Sequence, residues 1–105
     1  MARHKLLVIT NPVEGREDEY NDWYSNRHLD DVIAMPGYTA AERFTITHLM
    51  GEGVPGPYAA IYEMETEDAM AAFESLGAAM EAGTMYISDA MDGVKLSVTL
   101  LTPIE

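Results

Sequence analysis

The chain has 105 residues, 48% apolar and 23% charged, which is the composition of one globular domain and not of a disordered segment. Eighteen acidic residues against six basic ones give a formal charge of -12, and a surface of that sign argues against nucleic-acid and membrane partners. The absence of cysteine removes disulfides, thiolate metal sites and thiol nucleophiles.

The start, Met1-Ala2-Arg3-His4-Lys5, is basic, but the apolar run behind it reaches only from Leu6 to Ile9. A signal peptide needs roughly 7–15 apolar residues and a membrane span about 20, so a cytoplasmic protein is expected. His4 to Thr10 reads as a first strand. Its consecutive apolar residues Leu6, Leu7, Val8 and Ile9 suit a strand covered on both faces. Asn11-Pro12 ends it. Glu14, Glu17, Asp18 and Glu19 mark a helix N-terminus, and the helix is predicted from about Arg16 to Met35, stopping at Pro36-Gly37.

Tyr38 to His48 reads as a second strand, and Gly51, Gly53, Pro55, Gly56 and Pro57 as the hairpin loop. Tyr58 to Glu65 forms a third strand with Tyr58, Ala60, Tyr62 and Met64 on one face. Thr66, followed by Glu67 and Asp68, is the expected cap of a second helix with Met70, Phe73, Leu76 and Met80 as its apolar stripe, closed by Gly83. Thr84 to Asp92 has no decisive pattern and reads equally as a helix or a lid. Val94 to Thr102 is the last strand. The order β-α-β-β-α-β predicts a single α+β domain, residues 1–105: a four-stranded antiparallel sheet with both helices on one face. Two helices cover one face only, yet the first and last strands carry apolar residues on both. A homodimer joined through the sheet face is therefore expected.

The first helix carries the candidate chemistry. At about 100° per residue, Tyr20, Tyr24, Arg27, His28 and Asp31 share a face, with Trp23 at one edge and Val32 at the other. A structural helix would aim aliphatic residues at its core; this one aims polar-tipped rings and opposite charges. Tyr24 and His28 are four apart. His28 and Asp31 are three apart, close enough for the carboxylate to orient the ring or raise its pKa. His48, at the predicted end of strand two, is a second candidate, whereas His4 reads as a surface residue. The three histidines show no metal-ligand spacing, and no metal or other cofactor is expected. Gly51-Glu52-Gly53 is a turn and not a phosphate loop, and no serine lies in a nucleophile elbow.

Asn21-Asp22-Trp23-Tyr24-Ser25-Asn26-Arg27-His28-Leu29-Asp30-Asp31-Val32, followed by Met35-Pro36-Gly37-Tyr38 and Ala41-Glu42-Arg43-Phe44, resembles the dimeric α/β-barrel superfamily, and within it the EthD-like members. The resemblance implies a ferredoxin-like protomer whose sheet pairs with its twin, and a cleft between sheet and helices that takes a small molecule. It implies cyclases, isomerases, cofactor-free monooxygenases or haem-degrading enzymes as relatives. Trp23 on the first helix, with no later His in the second-helix region, speaks against the haem-degrading branch. The expected activity is cofactor-independent isomerisation, cyclisation or elimination of an apolar, aromatic or cyclic carbonyl substrate. His28 would act as base or acid, Tyr24 as oxyanion partner and Asp31 as orienting group. His48 or Tyr62 would supply a second polar group, and Trp23, Phe44, Phe73 and Met85 the apolar wall. A cofactor-free monooxygenase and a non-catalytic small-ligand carrier are the alternatives.

Overall fold

The computed structural model of the chain describes residues 2–104. Four strands, β1 (Arg3–Thr10), β2 (Tyr38–Thr45), β3 (Tyr58–Glu65) and β4 (Ser97–Leu101), form one antiparallel sheet in the order β2-β3-β1-β4. The first helical segment is α1 (Glu17–Trp23), a π-helical turn (Tyr24–His28) and α2 (Leu29–Ile33) in unbroken succession. The second is α3 (Ala69–Glu81).

Register assigns the two faces. Leu6 pairs with Tyr62 and Leu100, Val8 with Ala60 and Val98, and Tyr62 also with Ala41. Partners share a face, so these residues lie together. All of them except Val98, which stays exposed, meet Tyr20, Tyr24 and Val32 from the first helix and Leu76 from α3 in one core. The opposite face carries Leu7, Ile61, Phe44 and Leu101, the last two 40% and 39% exposed.

Several predicted boundaries move. β2 ends at Thr45, three residues before His48, after an irregularity between Tyr38 and Ala40 that bends the edge strand. β4 begins at Ser97, leaving Val94 in the exposed segment before it. Asp68, not Thr66, caps α3: its carboxylate accepts from Ala71 N at 3.0 Å, while Thr66 Oγ1 accepts from Asp68 N one turn earlier. The segment 84–92 is neither helix nor free lid. It is irregular backbone with Met85, Ser88 and Ala90 buried, pinned by Val13 N to Ala90 O (2.6 Å) and Asp92 N to Asn11 O (2.9 Å).

Two glycines are required by geometry. Gly37 turns the chain out of the first helix with φ +94°, a conformation in which a side chain is strained. Gly56 lies against the end of β1, where a Cβ would sit 2.3 Å from Thr10 O. Among the described residues no helix is long and apolar enough to cross a membrane.

Candidate functional site

The π turn decides what the first helix presents. On a regular α-helix Trp23 and His28, five residues apart, would point about 140° away from each other. Here the wider turn stacks them, with ring centroids 4.6 Å apart and planes 27° from parallel. Tyr24 meets the same imidazole edge-on at 4.8 Å. The buried stripe is accordingly Tyr20, Trp23, Tyr24, His28 and Val32. Arg27 and Asp31, expected on that stripe, instead form an ion pair with each other at 3.5 Å.

Tyr24, His28 and Val32 line one side of a cavity of about 160 Å³. The sheet contributes Leu6, Val8, Val98 and Tyr62, and α3 contributes Phe73, Leu76, Gly77 and Met80. A second hollow of about 150 Å³ shares Leu6, Phe73 and Val98 with it and extends toward Met70 and Leu100. The lining is aliphatic and aromatic except at three points: the imidazole and the hydroxyls of Tyr24 and Tyr62. Those hydroxyls are joined, Tyr62 donating to Tyr24 at 3.0 Å. A larger open depression of about 520 Å³, around the first residues of β1 and the last of β3, is lined by charged residues such as Arg3, Lys5, Glu63 and Glu65, which register places on the face opposite the helices. Arg3 and Glu65 there pair at 3.5 Å, and among the described residues no buried unpaired polar group lines it, so the smaller cleft is the candidate site.

Burial controls the electrostatics. His28 is 5% exposed and its Nδ1 has no hydrogen-bond partner. Burial lowers its pKa to about 4; Asp31 opposes the shift, and the Arg43 cation adds slightly to it. The ring is therefore neutral at pH 7. Burial also pushes Tyr24 up to about 12 and raises Tyr62 further, so both hydroxyls stay protonated as donors. Behind Tyr24, away from the cleft lining, Arg43 lies 4.5 Å from its ring centroid and 5.3 Å from those of Tyr20 and Tyr58. Its Nη1 donates to Ser25 Oγ at 2.9 Å.

Of the residues singled out in the sequence, Tyr24, His28, Tyr62 and Phe73 meet at the cleft. Trp23 stands behind His28 as its stacking partner. Met85 is a core residue, and Phe44 lies on the opposite face of the sheet. Asp31 is held by Arg27 and makes no hydrogen bond to the imidazole. His48 falls in the loop after β2, exposed, with Nε2 against Gly51 O at 2.9 Å, because the strand ends before reaching it. Sequence reasoning missed Gly77 and Arg43. A lone glycine within a helix was the available signal for the first; for the second it was only the Ala41-Glu42-Arg43-Phe44 run of the resemblance, since the fold alone brings three tyrosine rings around one guanidinium.

The fold is ferredoxin-like α+β. It is similar over 97% of this chain to a solved structure of the heme-degrader MhuD from Mycobacterium tuberculosis with two hemes bound in its active site, 96% of which is covered, at a TM-score of 0.62 and 15% identity. That likeness shows architecture and not activity. No protein-family model matches the sequence. No curated protein does either.

Proposed function

We propose that the chain is a small-molecule enzyme whose active site is the Tyr24–His28–Tyr62 cleft, and that it oxygenates an apolar, aromatic or cyclic carbonyl substrate without a cofactor. One observation carries the reading: a neutral imidazole with an unpartnered Nδ1 at the wall of a cavity that is apolar apart from the joined Tyr24 and Tyr62 hydroxyls. Such a ring takes a proton from a bound substrate and holds it beside the resulting anion, and Tyr24, whose own proton is left free because Tyr62 donates to it, donates to the developing oxyanion. With a pKa of about 4, His28 is a weak base, which suits a substrate whose carbanion is strongly delocalised. Carbanions of that kind react directly with dioxygen. The substrate methylene loses its proton to His28, and its carbon bonds to one oxygen atom as a peroxide. Loss of water from that peroxide leaves a carbonyl. One oxygen atom stays in the product, the other leaves as water, and all four electrons come from the substrate.

Isomerisation or cyclisation through the same base is the second reading, favoured by the His–Tyr pairing, and it consumes no oxygen. Heme, the ligand of the structural neighbour, does not suit this cleft. Its volume of about 160 Å³ is below the usual 300–1,000 Å³ of drug-sized sites, and no Arg or Lys lines it to receive the two carboxylates. We also propose that Leu7, Ile61, Phe44 and Leu101 pair with the same face of a second copy, that the protein works in the cytoplasm, and that it is kin to the EthD-like members. The cluster of apolar side chains at the middle of that face, beside the charged Arg3, Lys5, Glu42, Glu63 and Glu65, supports the first; the lack of a long apolar helix among the described residues is compatible with the second; and the joint placement of Tyr24 and His28 at one cleft supports the third.

The test is oxygen uptake on a panel of hydroquinones, polycyclic phenols and cyclic 1,3-diketones. Uptake matched one-to-one by product, and reduced about 10²-fold or more in folded His28→Ala, is the expected result. Conversion without uptake supports isomerisation. Saturable binding without conversion leaves a carrier, and activity undiminished in His28→Ala overturns the assignment.

A further inference from the structure

Gly77 is the only glycine in the sequence of α3, in which every other small residue except Ser75 is alanine. Glycine is among the least favourable residues inside a helix, so its presence there calls for a reason. The two usual reasons are absent. Its φ is not positive, and a Cβ built on it meets no heavy atom within 4 Å, so neither backbone conformation nor close packing demands glycine. What the missing side chain leaves is cleft. Phe73, Gly77 and Met80, at the spacing that places residues on one helix face, all line the cavity that His28 and Tyr24 share.

We infer that Gly77 is a specificity-determining position, keeping the cleft between Phe73 and Met80 open wide enough for a ligand broader than a single ring. The inference rests on the reading of that cleft as the substrate site. Any side chain at position 77 enters the gap, and a branched one fills it, while the imidazole and the tyrosine hydroxyls stay where they are. The base and donors then remain intact, but the range of acceptable substrates narrows.

Phenol and 1-naphthol are the probes, titrated into the full-length protein while the His28 ring resonances are followed by NMR. Wild type binds both and shifts those resonances. Gly77→Leu weakens 1-naphthol binding roughly tenfold or more and leaves phenol nearly unchanged, since excess bulk in a pocket acts at that scale. Gly77→Ala raises the melting temperature by about 4–8 °C, the gain expected when glycine is replaced in a helix of a domain this size. Ala78→Leu, one residue along α3 and outside the cavity lining, alters neither affinity. Unchanged 1-naphthol affinity in folded Gly77→Leu, or a lower melting temperature in Gly77→Ala, overturns the Gly77 assignment and leaves the cleft standing. Failure of both probes to shift His28 in wild type overturns the cleft itself, and the assignment with it.

Discussion

Acidification should weaken this protein through one residue, and the size of the effect follows from where His28 sits. Unfolded, the imidazole titrates near 6.5; folded, buried against Trp23 and Tyr24, it titrates near 4. The unfolded chain therefore binds the proton first. The stability tied to neutral His28 is complete above pH 6.5 and is lost as pH falls toward 4. At 1.36 kcal/mol per pH unit, the gap between 6.5 and about 4 bounds the loss at about 3 kcal/mol, of which about 2 kcal/mol is gone by pH 5. His28→Phe keeps a ring on Trp23 and removes the titration. Urea unfolding of wild type and His28→Phe at pH 7 and pH 5, at one protein concentration, isolates the effect, because the many carboxylates titrate alike in both. The wild type should lose about 2 kcal/mol more than the variant between the two conditions. Equal losses would refute the argument, as would a wild-type His28 resonance titrating near 6.5.

Other consequences can be measured without a substrate. Tyr62→Phe removes the donor to Tyr24 and should cost about 1 kcal/mol, read as a drop in melting temperature of about 4–8 °C. Asp68→Ala deletes the cap on Ala71 N and should cost about 1 kcal/mol of stability in urea unfolding, whereas Thr66→Ala, off the cap position, should cost less. Ile61→Lys places a charge in the middle of the sheet face opposite the helices. Light scattering should show a particle of twice the chain mass for wild type and of the single chain for the variant, and a wild-type monomer would remove the proposed pairing.

Local pattern alone carried the element order, because the signals were strong where they existed. Four consecutive apolar residues from Leu6, the Pro36-Gly37 stop and the alternation through Tyr58 to Met64 each specify an element within a few residues of chain. The pairing of Tyr24 with His28 was likewise legible, since four residues on one helix turn are neighbours in any fold. The remainder depended on contacts distant in sequence. A π turn has no composition of its own, so the stacking of Trp23 on His28 and the exclusion of Arg27 and Asp31 from the cleft appeared only with the packed helix. Segment 84–92 lacks periodicity because most of its backbone bonds run to the end of α3 and to residues 11–13, with one turn from Met91 N to Ser88 O, and form no repeating ladder. The depressed pKa of His28 and the opening beside Gly77 are properties of enclosed space, and space is enclosed only when α3, the sheet and the first helix close on one another.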